Sequence, residues 1–450
     1  MITDFKNHFR KNLSLAYPVM LSHLGQVTVQ VADNMMVGRL GKEPLAGASF
    51  ANSIFVIFLV MGIGMSYAIT PMTAQADGEK DIPKLTEILK HGFLVNVIYG
   101  LLLTAILFSS TEILWLFNQP EIVVTLAIPY LGIIAISIIP FMAYQAFRQF
   151  AEGLGYTKQS MYITITGNII NIILNYIFIF GKLGFEPLGL YGAGLATMVS
   201  RVIMALMMVS FVYLNKRFAR YWEFLKFGRI SWILIKENLK LGLPMSFQFI
   251  FEVSTFSLAA IMIGWLGTGP LAAHQIAINM ASITYMIALG ISSAATIRVG
   301  NQLGQKDYKT LRNAALTSYI MAISFMSVTG IIFILARNSL PLLYINDAEV
   351  IAQAAVLLIV AGLFQLSDGI QVIGLGALRG MSDVKVPTLI TLIAYWLIGL
   401  PLGYLFGFIL NQGALGVWYG LLAGLSIAAV LLFLRFNKLS RNLIKEAVNE

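Results

Sequence analysis

Twelve apolar runs follow one another between residues 13 and 434. Each is long enough to cross a hydrocarbon core of about 30 Å at about 1.5 Å per residue. They span about 13–37, 46–71, 91–117, 123–147, 161–181, 189–214, 239–263, 272–297, 314–336, 350–376, 387–410 and 414–434. A backbone inside lipid must satisfy its own N–H and C=O groups, which leaves only helices or a closed barrel. A barrel needs alternating segments of about ten residues, and runs such as "VIYGLLLTAILF" (97–108) do not alternate. The expectation is an all-α polytopic membrane protein with twelve transmembrane helices. Composition agrees, with 58% hydrophobic and 11% charged residues, whereas a soluble domain is nearer a quarter charged.

The net charge of +9 has a positional explanation. All but five of the 30 Lys and Arg residues lie in the N-terminal tail, the even-numbered loops or the C-terminal tail. Arg39, Lys42, Lys182 and Arg337 occupy odd-numbered loops, and Arg201 lies inside a span. The positive-inside rule then places both termini in the cytoplasm. No nucleic-acid partner is expected, because that footprint needs a basic stripe on a soluble domain. The chain has no cysteine, and its four histidines, His8, His23, His91 and His274, are far apart, so neither a thiolate site nor a histidine metal cluster is expected. The first run has no small-residue cleavage site after it and reads as a retained helix. "MGIGMS" (61–66) lacks the Lys-Ser/Thr ending of a phosphate-binding loop. The chain therefore reads as a non-enzyme without a cofactor, whose energy comes from an ion gradient or a separate partner.

An internal repeat divides the chain. A shift of 226 residues brings "MVGRLGKEPLAG" (36–47) onto "MIGWLGTGPLAA" (262–273) and "GEKD" (78–81) onto "GQKD" (304–307). The same shift pairs Pro18 with Pro244, Gly64 with Gly290 and Ser66 with Ser292. A shift of 227 later matches "EGLGYTK" (152–158) with "RGMSDVK" (379–385). Six spans per half is an even number, so the repeats are parallel, giving two six-helix bundles over 1–225 and 226–450. Secondary transporters use this plan, with a substrate cavity between halves that rock about it.

Three carboxylates interrupt the apolar runs: Asp33, Glu252 and Asp368. A charge at bilayer depth costs at least about 2.5–3.5 kcal/mol. Burial favours the neutral acid and a bound cation the ionised one, so each is a place where proton and cation compete. Asn171 and Asn175 are four apart and share a helix face. Their amide oxygens, with the Thr197 hydroxyl, suit a hard cation that wants several oxygens. The other reading of each asparagine is a helix–helix hydrogen bond of about 1 kcal/mol. Glu252 and Asp368 stand beside Gln248 and Gln365 in the second half. The halves diverge in charge, since Ala259 answers Asp33 and Gln26 answers Glu252. Arg201 reads as structural, paired with a carboxylate or snorkelling toward the cytoplasm. Pliable methionines recur early, and Met36 and Met61 join Gln248 and Gln365 as candidate cavity lining.

These residues resemble the multidrug and toxic compound extrusion (MATE) family, in its NorM-like bacterial branch. The resemblance rests on the Pro18–Gly41 stretch ending "DNMMVGRLG", on "MIGWLGTGPLAAHQIA", on "FQFIFEVSTF" around Glu252 and on "FQLSDGIQVIGLGALRG" around Asp368. It implies twelve helices in two lobes and export of amphiphilic, often cationic drugs in exchange for Na⁺ or H⁺. It also implies an N-lobe ion site at Asp33, Asn171, Asn175 and Thr197, holding Na⁺ if coupling is by sodium, and an acidic C-lobe pair, Glu252 and Asp368. A monomer in the lipid of the bacterial inner membrane is expected. Two alternatives stand beside it: a lipid-linked oligosaccharide flippase, which calls for a cavity rich in Arg and Lys, and a helical channel.

Overall fold

The computed structural model describes residues 2–215, 218 and 230–449. Most of the basic stretch between the sixth and seventh spans therefore lies outside the described residues. Among those residues the chain forms twelve long helices. They are α1 (Ile2–Gly38), α2 (Lys42–Glu79), α3 (Ile82–Ser109), α4 (Glu121–Gly153), α5 (Thr157–Phe180) and α6 (Gly189–Leu214), then α7 (Trp232–Gly264), α8 (Thr268–Gly304), α9 (Tyr308–Leu335), α10 (Ala348–Gly380), α11 (Lys385–Ile409) and α12 (Gly413–Asn449). The eleven helices α2–α12 are long and apolar enough to cross a membrane by length and composition. α1 falls outside that set, and its polar residues His23, Gln26, Gln30, Asp33 and Asn34 account for its low hydropathy. Most helices overrun the apolar runs, as where α12 continues to Asn449. Amphipathic ends extend the hydrogen-bond ladder into polar surroundings, where hydropathy no longer marks it.

The repeated motifs encode the same turns twice. Asp81 caps α3 by accepting from the Lys84 backbone N–H at 2.9 Å, and its counterpart Asp307 caps α9 by accepting from Thr310 at 3.0 Å. Lys80 and Lys306, one residue earlier, both take the left-handed conformation at φ 60°. Gly41 and Gly267 open α2 and α8 with φ of 124° and 120°, a region that favours glycine. "GEKD" and "GQKD" are thus stop-and-start signals rather than ligand sites.

Chain contacts gather into two compact units, Leu21–Ser246 and Met1–Met20 with Phe247–Glu450. The repeat boundary at 225/226 and these units are drawn on different grounds: each unit takes in the end of a helix from the other repeat. Both transitions come two residues after a repeat-related proline inside its helix, Pro18 in α1 and Pro244 in α7. In the first unit Gly64 lies so close to Ser246 that a Cβ would meet its Cα at 2.5 Å. In the second, Gly290 lies equally close to Met20. The core of the Leu21–Ser246 unit is built from α2, α3 and α4, with Phe55, Leu103, Leu107 and Met142 buried in it. In the other unit α10 packs on α8, α9 and α12, around Trp418, Phe364 and Leu358.

Helices α11 and α12 meet backbone to backbone. Gly399, Gly403 and Gly407 face Gly416, Gly420 and Gly424 at four-residue intervals, the small-residue spacing that lets membrane helices meet backbone to backbone. A Cβ on Gly420 would reach the Gly399 carbonyl at 2.6 Å, and one on Gly424 the Ala394 carbonyl at 2.6 Å. Gly420→Val is expected to cost at least about 1–3 kcal/mol from overpacking and to lower the thermal midpoint in detergent. Gly132→Ala, whose new methyl meets Phe108 at an ordinary 3.7 Å, should leave the midpoint unchanged or raised. Equal midpoints for Gly420→Val and the parent would contradict the close packing.

Candidate functional site

Asp33 lies near the C-terminal end of α1, half-buried, and accepts a hydrogen bond at Oδ1 from Asn175 Nδ2. Asn175 Nδ2 also donates to Asn171 Oδ1 at 3.1 Å, and Asn171 Nδ2 donates to Ser200 Oγ at 3.3 Å. Ser200 Oγ in turn donates to the Thr197 carbonyl at 2.9 Å. Asn171 and Asn175 face this chain together because α5 places them one turn apart. Thr197 joins it only through its backbone and Ser200, since its hydroxyl donates to the Ala193 carbonyl at 3.1 Å. The structure therefore brings Asp33, Asn175 and Asn171 together directly and adds Ser200, which sequence reasoning missed.

The donor set suits a hard cation. Asn175 is fully buried, yet its Oδ1 has no hydrogen-bond partner. Buried amide oxygens are normally paired, so this atom, the Asp33 carboxylate and Asn171 Oδ1 are the oxygens that would hold Na⁺. The same carboxylate could instead hold a proton.

Arg201 neither snorkels nor clamps Asp33. Its Nη1 donates to Ser137 Oγ at 2.7 Å, at the break between the two segments of α4. Its guanidinium lies over the rings of Phe55 and Phe141, 5.2 and 4.9 Å from their centroids. A desolvated cation–π contact is worth about 2 kcal/mol or more. Held there, Arg201 remains within electrostatic reach of Asp33 and Tyr130. A fixed positive charge and an amide donor are what an ionised Asp33 needs.

The second carboxylate centre belongs to the other unit. Glu252 on α7 is buried and accepts from the Tyr285 hydroxyl of α8 at 3.0 Å. Asp368 on α10 is 5% exposed. Arg379, about three turns further along α10, acts electrostatically on Glu252 and Tyr285. Gln365 is committed to Thr284, donating to its Oγ1 at 2.7 Å and accepting from it at 2.9 Å. Gln248, four residues before Glu252, is buried with its Nε2 unpartnered. Met36 and Met61 are partly buried against the core of the Leu21–Ser246 unit, and Gln248 and Gln365 belong to the other unit.

Further buried charges escaped sequence reasoning. Arg148 and Glu152 form an ion pair at 2.7 Å on α4, each nearly inaccessible, with His23 in electrostatic reach of the arginine. Their i,i+4 spacing was the available signal, but the apolar run ends at 147. Arg298 donates from Nη1 to Asn12 Oδ1 and from Nη2 to His8 Nδ1, the latter at 3.0 Å. Asn12 then donates to Ser318 Oγ at 2.8 Å. The histidines stay apart, and no group of three His, Cys, Asp or Glu side chains able to hold a metal occurs among the described residues. Arg148, Arg201 and Arg298 are each engaged by protein partners.

The MatE family model matches residues 18–177 and 244–405, two copies offset as the internal repeat is. The "Probable multidrug resistance protein NorM" of Agrobacterium fabrum is 36% identical over 446 residues, covering 98% of this chain and 96% of the relative. The "Multidrug resistance protein MdtK" of Yersinia pseudotuberculosis is 36% identical over 441 residues, covering 96% of each. Among solved structures, the "Outward-facing conformation of a multidrug resistance MATE family transporter of the MOP superfamily" superposes with a TM-score of 0.88 at 21% identity, covering 97% of both chains. That likeness supports the twelve-helix fold, and the two full-length relatives establish the lineage. The chain belongs to the MatE family of membrane transporters, in its NorM-like bacterial branch, and is not an enzyme.

Proposed function

We propose that this protein is a multidrug antiporter that exports amphiphilic organic cations in exchange for Na⁺ or H⁺. The observation that carries the reading is Asp33, a carboxylate in an intramembrane helix, held by Asn175 beside an unpartnered amide oxygen. Such a group is retained at a cost of several kcal/mol only where it does something. The names of the full-length relatives support drug export. The ion supplies the energy, with no other cofactor. The repeats 1–225 and 226–450 are its two lobes, and it works as a monomer in the bacterial cytoplasmic membrane. The distribution of Lys and Arg supports cytoplasmic termini.

In this scheme an ion or proton on Asp33 stabilises one arrangement of α1, α5 and α6, and drug binding favours the arrangement that releases it. Glu252 and Asp368 give the other unit a second charge-dependent state. A coupling free energy of about 1–3 kcal/mol changes affinity by about 5–150-fold, which suffices to link the two ligands.

Proteoliposomes with an imposed Na⁺ or H⁺ gradient and a fluorescent organic cation test the scheme. Asp33→Asn should reach the membrane at parental levels and lose gradient-driven transport to background. Transport by Asp33→Asn at the parental rate would remove Asp33 from coupling. Glu252→Gln keeps the side-chain shape and the Tyr285 contact, and it should slow transport at least about tenfold while protein yield holds, within the coupling range above. Unaltered ion dependence in that variant would exclude Glu252.

A further inference from the structure

Among the described residues, π-helical turns occur only in α11, over Ile393–Gly399 and Leu405–Ile409. Such turns are rare and concentrate at functional sites, because the widened ladder re-aims the side chains it carries. The glycine face of α12 receives the bulge: a Cβ on Gly424 would collide with the Ala394 carbonyl, inside the turn. Trp396 fixes the other side. Its Nε1 donates at 3.3 Å to the carbonyl of Phe251, the residue before Glu252. The π turn is thereby pinned to the stretch of α7 that carries the acid.

Tyr395 sits between these two constraints. It is 2% exposed, and its hydroxyl has no hydrogen-bond partner. Both carboxyl groups, Glu252 and Asp368, act on it electrostatically. Gln371, one turn beyond Asp368 on α10, is fully buried with both amide atoms unpartnered. A buried donor left unmade is expensive, and Tyr395 and Gln371 each carry one. Among the described residues, the titratable and charged groups facing the centre are Glu252 from α7, Tyr285 from α8, and Asp368 and Arg379 from α10. α12 presents its glycine face to the backbone of α11.

We propose that Tyr395 is an ion-coupling hydroxyl of this centre. It donates to Glu252 or Asp368 when one of them is ionised and loses that partner when both are neutralised, so the π turn of α11 follows the occupancy of the acids. The proposal deepens the coupling role given to Glu252 and Asp368 and rests on it. A phenol donor stabilises the ionised carboxyl group. Removing it makes the acid hold its proton to higher pH.

The test uses purified full-length protein in proteoliposomes, measuring gradient-driven transport of a fluorescent organic cation across pH. Tyr395→Phe should move the midpoint of the pH profile upward by about one unit, a tenfold change in proton affinity. Trp396→Phe, at a side chain 37% exposed and therefore tolerant of change, loosens the pin and should move it the same way by less. Parental midpoints in Tyr395→Phe overturn the proposal, and if that variant does not fold, a parental midpoint in Trp396→Phe does so. Glu252→Gln and Asp368→Asn run alongside. If both transport with the parental pH profile, the coupling role of the acids itself fails. If they lose transport while Tyr395→Phe keeps the parental midpoint, only the role of Tyr395 falls.

Discussion

A carboxylate inside a helix bundle in lipid has few ways to remain ionised, and in the Leu21–Ser246 unit Asp33 has an amide donor and a positive charge near it. Asn175 donates to Asp33, Asn171 and Ser200 hold Asn175 in place, and Arg201 supplies positive charge from a fixed position. The arginine is itself fixed by Ser137 and two aromatic rings. The break in α4 at Ser137 therefore has a consequence at α1, through a side chain on α6. None of these contacts is strong alone in water. In a low-dielectric interior, losing one leaves a charge or a donor uncompensated, which is where the larger penalties arise.

Duplication has preserved backbone turns and released the charges. The capping aspartates Asp81 and Asp307, the left-handed lysines beside them and the turn glycines Gly41 and Gly267 have the same role in both repeats. Their work is local, so any departure breaks a turn wherever it occurs. The acids follow no such rule. Ala259 stands opposite Asp33, Gln26 opposite Glu252, and Arg379 opposite Glu152. Two units with one scaffold and different electrostatics can respond differently to the same ion, which a symmetric pair could not.

The twelve helices, their pairing into repeats and the three costly acids were legible in the sequence because lipid leaves a chain few choices. Helix ends were not, since amphipathic extensions such as the end of α12 carry no apolar signal. The Arg148–Glu152 pair lies just past the apolar run of its helix, and so passed for loop charge. Ser200 and Tyr285 are polar residues of ordinary kinds, and only the fold shows that they touch Asn171 and Glu252. Arg201 was visible, but its partners, a serine at a helix break and two phenylalanines, are spread over two other helices, α2 and α4. The π turns of α11 have no compositional mark at all: "IAYWLIG" (393–399) reads as a plain apolar helix.

The central claim is that ion and drug bind as linked equilibria through Asp33. Equilibrium titration of the purified protein with a fluorescent organic cation, across Na⁺ concentration and pH, measures that linkage, and the converse titration of the ion at fixed drug completes it. The account predicts that the driving ion weakens drug binding by a factor in the range of about 5–150, and that drug weakens ion binding by the same factor. Drug affinity that does not change with either ion would contradict it.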